Sequence, residues 1–108
     1  MVQLGDINAW CRKVVREFRP DRIVLFGSFA DGTPTDDSDV DMLIIMPLAR
    51  GQRDVRMAAA IRQRVQAGFP MDVIVRSPRQ ITKRLAEGDG FIAGILRDGR
   101  LLYENKHA

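Results

Sequence analysis

One cysteine, Cys11, and one histidine, His107, stand in 108 residues. A lone thiol closes no intrachain disulfide and builds no cysteine-rich zinc site, so a reducing compartment is expected. Aromatic residues are scarce, at 6% with a single tryptophan and a single tyrosine. No aromatic platform interleaves with basic residues, and no recognition-helix signature appears, which argues against direct nucleic-acid binding. No apolar run approaches the roughly 18 residues of a membrane span, and charged residues interrupt the apolar positions at the N-terminus. Repeats and low-complexity tracts are absent as well. These absences predict a soluble, cytoplasmic protein folded as one compact domain over residues 1–108.

What is present is charge of both signs, 17 basic against 14 acidic residues for a net +3, with a sequence pI of about 9.6. The two signs are interspersed, so the basic excess is weak support for a polyanion partner. The acids are less even: Asp31, Asp36, Asp37, Asp39 and Asp41 crowd one short window, while Arg and Lys dominate the second half. A locally acidic pocket on a basic protein suggests metal together with phosphate.

Apolar periodicity supplies the elements. Leu4, Ile7, Cys11, Val14, Val15 and Phe18 recur at three- and four-residue spacing, predicting a helix over 5–18 that Pro20 ends. Ile23 to Phe26 is a continuous apolar run stopped by Gly27, hence a buried strand. Residues 29–38 predict a loop or brief helical turn, and Val40 to Met46 a second strand. Val55, Ala58, Ile61, Arg62 and Val65 carry a helical period up to Gly68, the crossover to a third strand over Met71 to Val75. Ser77 reads as an N-cap with Pro78 at the first helical position of a helix to about Glu87. Phe91, Ile92, Ile95 and Leu96 form a last helical stripe, Gly99 stands where a left-handed stop is expected, and Leu101-Leu102-Tyr103 returns as an edge strand. The order is that of an α/β fold, a small mixed sheet flanked by helices.

The chemistry concentrates between Phe26 and Met42. Asp39 and Asp41 are two apart on a predicted strand, so both carboxylates face one side, about 7 Å apart at Cα. Val40, Met42 and Ile44 then face the other side and anchor the strand by burial. Hard oxygen ligands suit Mg²⁺, which shares its coordination between one or two carboxylates and substrate phosphates. Gly27 and Ser28 end the preceding strand, where a missing Cβ admits phosphate and amides plus a hydroxyl can donate to it. Asp72 opens the third strand and brings a third acid to the same rim if that strand lies beside the second. Three acids and a phosphate turn are the parts of two-metal nucleotidyl transfer. Arg76, Arg79, Lys83 and Arg84 could reach triphosphate or a partner but read first as a solvated helix face, Asp36 and Asp37 as turn formers, and Ser38 as a cap or orienter of Asp39. Trp10 reads as a core or interface aromatic, and neither it nor His107 receives a catalytic role.

Gly27-Ser28, the spacer, Asp39-x-Asp41 and the later Asp72 resemble the motif of the nucleotidyltransferase superfamily that includes DNA polymerase beta. More closely, the chain resembles the minimal nucleotidyltransferases, the MntA-like antitoxin halves of HEPN/MNT pairs. The likeness extends through Ala30 and Gly32 to the closing Gly99-Arg100-Leu101-Leu102-Tyr103-Glu104. It departs at Asp31, a position often basic in such proteins, where a phosphate contact is lost. The resemblance implies a polymerase beta-like palm fold. It implies that Ser28 binds the triphosphate of ATP, that Asp39, Asp41 and Asp72 ligate Mg²⁺, and that Asp72 also activates the acceptor hydroxyl. The reaction it implies is transfer of AMP from ATP to a protein hydroxyl, with release of pyrophosphate.

Length narrows the acceptor. Nucleotidyltransferases that modify antibiotics or extend nucleic acids carry added domains to grip it, whereas here the acceptor is expected to bring its own binding surface. The resemblance points to a HEPN-type toxin that receives AMP on a tyrosine, in a hetero-oligomer with this chain. Two other readings remain: an antitoxin that masks its toxin without catalysis, and a nucleic-acid-binding domain suggested by the pI.

Overall fold

The computed structural model of the protein describes residues 2–106. His107 lies outside them. Five helices and four strands follow in the order α1 (Leu4–Phe18), β1 (Arg22–Phe26), α2 (Ser28–Asp31), β2 (Val40–Ile45), α3 (Asp54–Arg64), β3 (Met71–Arg76), α4 (Pro78–Ala86), α5 (Gly90–Asp98) and β4 (Arg100–Glu104). The strands form one mixed sheet in the order β3-β2-β1-β4. β1 is antiparallel to both β2 and β4, and β2 runs parallel to β3 with α3 as the crossover.

β2 is the axis of the core because both its faces are covered. Val40, Met42 and Ile44 join Ile7, Trp10, Cys11 and Val14 of α1 and Ala58 and Ile61 of α3 on one side. Leu43 and Ile45 meet Ile81 of α4 and Ile92 and Ile95 of α5 on the other, together with Val24 of β1. Each fully buried Val, Leu, Ile or Met among them contributes about 1.5–3 kcal/mol of transfer free energy. Asp41 shares the side of Leu43 and Ile45 by the two-residue period of the strand, so the acids sit on the face that α4 and α5 cover further along.

Helix ends follow their local chemistry. The α1 chain reverses at Arg19, which takes the left-handed conformation (φ 51°, ψ 57°) just ahead of buried Pro20. Trp10 is indeed a core aromatic, 3% exposed, and its indole Nε1 donates to the Val65 carbonyl at 2.8 Å, tying α1 to the end of α3. Ser77 caps α4 as expected, accepting from the Gln80 amide at 3.1 Å, with Pro78 in the first turn.

Four expectations need correction. α3 stops at Arg64 rather than running to Gly68, and Val55, read as part of its apolar stripe, is 68% exposed. Phe91, read into the stripe of α5, is 58% exposed. Gly99 is not left-handed: its φ is −72° and ψ 168°. Glycine is required there because a Cβ would lie 2.5 Å from the Ile95 carbonyl oxygen, 2.7 Å from Val24 Cγ1 and 2.9 Å from the Leu25 carbonyl oxygen. Arg76 is not part of a solvated face either, since it pairs with Asp54 at 3.3 Å and Gln80 donates to the same carboxylate at 3.2 Å. That cluster joins the ends of β3, α3 and α4 away from the acids.

Candidate active site

Antiparallel pairing brings the end of β1 to the start of β2, and parallel pairing sets the start of β3 beside it. Asp41 is thus the register partner of Phe26 on one side and of Asp72 on the other. Gly27, Ser28, Asp41 and Asp72, scattered through the sequence, fall on one rim of the sheet. Asp39 lies one residue ahead of β2 rather than within it, and is exposed. Ser38 orients it indirectly: its hydroxyl accepts from the Thr35 amide at 2.8 Å, closing the turn that delivers Asp39 to the strand.

The closest approach is between the glycine turn and the acid. Gly27 has φ 75° and ψ −156°, a region essentially reserved for glycine, and caps the four-residue α2. A Cβ there would overlap Asp41 Oδ2 and lie 3.1 Å from its Cγ. The carboxylate of Asp41 therefore lies directly against the turn. Ala30 and Asp31 amides are taken by the Gly27 carbonyl, at 3.1 and 3.0 Å. The amides of Ser28 and Phe29 open the helix, where no intrahelical acceptor exists, so they can donate to an anion. From the far side, Arg100 Nε donates to the Ala30 carbonyl at 3.2 Å and steadies α2 against β4.

Electrostatics agree with this crowding. Burial first, then Asp72, then Asp39 push the Asp41 carboxyl above its ordinary value, and no neighbouring cation offsets them. Among the described residues no three Asp, Glu, His or Cys side chains are gathered tightly enough to cage an ion by themselves. An open set of hard carboxylate oxygens beside phosphate donors is what Mg²⁺ uses when substrate phosphates and water complete its shell. The residues present fit such an ion, bound together with its nucleotide.

The sequence reasoning missed two contributors. One is the aromatic pair Phe26 and Phe91, whose rings meet edge to face at 5.9 Å and 86° beside Gly27. The other is Arg100. Neither left a local signal, because each contact joins β1 or α2 to elements late in the chain.

The chain belongs to the nucleotidyltransferase domain family, whose sequence profile matches residues 9–102. It is a nucleotidyltransferase, built on the mixed α/β fold of that family. Among its relatives is a protein of Methanocaldococcus jannaschii named "Putative protein adenylyltransferase MJ0604", 31% identical over 82 residues that cover 76% of this chain and 77% of the relative. In structure it is similar to "a putative nucleotidyltransferase from Sulfolobus solfataricus" (TM-score 0.66, 19% identity, 95% of this chain and 81% of the other). It also resembles a chain of a toxin–antitoxin complex solved with AMP-PNP (TM-score 0.56, 17% identity, 93% and 75%). At these identities both likenesses concern the fold.

Proposed function

We propose that this protein is the antitoxin of a HEPN/MNT-type pair and transfers AMP from ATP to a hydroxyl, a tyrosine, of its partner toxin. The observation that carries the reading is the contact of the Gly27 turn with Asp41, with Asp72 in register alongside. Family membership and the adenylyltransferase relative support the chemistry, and the solved toxin–antitoxin neighbour supports the partner class. The catalytic unit is the single domain spanning the chain, acting in the cytoplasm.

In this reading Gly27, Ser28 and the opening amides of α2 hold the β- and γ-phosphates. Asp39, Asp41 and Asp72 hold Mg²⁺, which when bound neutralises charge on the phosphates and lowers the pKa of the acceptor hydroxyl. Asp72, on the outer strand, faces the acceptor and takes its proton. The acceptor oxygen attacks the α-phosphorus, a P–O bond to it forms, the bond to the β-phosphate oxygen breaks, and pyrophosphate leaves.

The test is to incubate the purified pair with ATP and Mg²⁺ and weigh the partner. The expected result is added AMP, abolished by Asp39→Asn and Asp41→Asn, with loss of protection in cells. Full protection by the doubly substituted protein would instead establish neutralisation by masking, and would sink the catalytic reading.

A further inference from the structure

Across the sheet edge the site is laid out in order: Asp72 on β3, Asp41 on β2, Phe26 on β1 with Gly27 directly after it. Beyond β1, a groove of about 270 Å³ opens between α2 and α5, lined by Phe26, Gly27, Ala30, Gly90, Phe91 and Gly94 among others. We propose that the Phe91 end of this groove receives the nucleobase of the nucleoside triphosphate, with Phe91 as its stacking platform. The inference rests on the nucleotidyl-transfer reading and assigns a part of the nucleotide that the phosphate turn leaves open.

The first argument is continuity. Gly27 lines the groove and also makes the phosphate turn, so a ligand held at one has its remainder beside the other. The second is the aromatic itself. Phe91 is 58% exposed, an uncommon position for a phenyl ring, yet its ring meets Phe26 edge to face at 5.9 Å, a contact that favours one orientation. A ring with one favoured orientation and a face open to solvent is a low-entropy surface for another flat ring. Glycine at 90 and 94 keeps the α5 wall low, and space stays open around Gly90.

Charge decides which part of the nucleotide enters. The charged residues of the groove's own lining are Asp31 and Asp98, and the Arg97 guanidinium alongside is engaged by the Asp98 carboxylate at 2.9 Å, so the lining offers phosphate no cation of its own and favours an uncharged base. Topology decides between base and acceptor. Asp72, the acid assigned to the acceptor, is two strands from β1, about 10 Å across the sheet, so the acceptor approaches from the opposite side.

The experiment is calorimetric titration of the full chain, without any acceptor, with ATP and with inorganic tripolyphosphate, both in Mg²⁺. Phe91→Ala should weaken ATP about 10- to 100-fold, the loss expected of one base–aromatic stack, while tripolyphosphate affinity stays within about twofold of wild type. Phe91→Trp should keep ATP affinity, and the melting temperatures of both variants report that the fold survives. Equal losses for both ligands would mean that Phe91 only supports the turn; unchanged ATP affinity with impaired transfer would mean that it touches the acceptor. Either result overturns the proposal. Wild-type protein that binds ATP in this Phe91-dependent way but modifies no partner would sink the transferase reading and leave the base subsite standing.

Discussion

A single methyl group placed on Gly27 tests the core of the site. Alanine there meets two obstacles of different origin. Its backbone must hold φ 75° and ψ −156°, a conformation that costs a residue with a Cβ about 1–3 kcal/mol. Its Cβ also overlaps Asp41 Oδ2, so the carboxylate must rotate off its position at a cost of about 0.5–1.5 kcal/mol. Gly27→Ala should therefore lose about 2–4 kcal/mol, and at about 4–8 °C per kcal/mol the melting temperature should fall by roughly 10–30 °C. Displacement of a catalytic group by about 1 Å costs on the order of 100-fold in rate, so nucleotidyl transfer should suffer more than the surviving folded fraction explains. The two obstacles separate in a double-mutant cycle measured by urea denaturation. In Gly27→Ala/Asp41→Ala the overlapping atoms are gone and the nearest remaining Asp41 atom, its Cβ, is 3.4 Å away, an ordinary contact. The pair should recover about 0.5–1.5 kcal/mol relative to the sum of the singles, while the backbone cost persists. Strict additivity, or a Gly27→Ala protein as stable and active as wild type, would refute the claimed contact.

Three further outcomes follow from other residues. The Asp41 carboxyl is raised by burial and by Asp72 and Asp39, so in linkage terms its contribution favours the fold below the unfolded pKa and is lost as pH rises through the folded value. Asp41→Asn should accordingly be more stable than wild type at neutral pH, with the gap closing on acidification; a gap that is absent or constant with pH, followed by thermal melts, contradicts this. Burial pushes the Cys11 thiol up to about 12, so at pH 8 it should react with a thiol reagent no faster than the protein unfolds, and fast labelling of the native protein would exclude its burial. Gly99→Ala should destabilise by about 1–3 kcal/mol through overpacking against β1, with no help from its permissible backbone angles, and a neutral result in denaturant melts would show that α5 can move aside.

The sequence displayed those features whose cause is local. Apolar runs of strand length, the spacing of Ile7, Cys11 and Val14, and the Ser77-Pro78 start all reappear because each acts within a few residues. The Asp-x-Asp spacing was legible for the same reason, and Asp72 became informative once β3 was taken to lie beside β2. Where the reading failed, a distant partner had decided the outcome. Val55 satisfies helical periodicity, but the α3 surface that reaches the sheet is that of Ala58 and Ile61, so its side chain is left in solvent. Gly99 does end α5, but not in a left-handed conformation, and what demands glycine there is the proximity of Leu25 and Val24 on a strand formed far earlier in the chain. Arg76 matched a solvated helix face until Asp54 was placed opposite it. The Phe26–Phe91 contact is of the same kind, a meeting that no window of sequence contains.

The strand order β3-β2-β1-β4 also has a consequence for biosynthesis. β1 can pair with β2 soon after emerging from the ribosome, but its other edge waits for Arg100–Glu104. Until then Ile23 to Leu25 present an unpaired apolar edge, the kind of template on which nascent chains associate wrongly. The same late segment delivers Arg100 to the Ala30 carbonyl, so the Gly27 turn is braced only after both acids have been made. A nascent chain thus carries Asp41 and Asp72 before the segment that fixes the neighbouring Gly27 turn has been made.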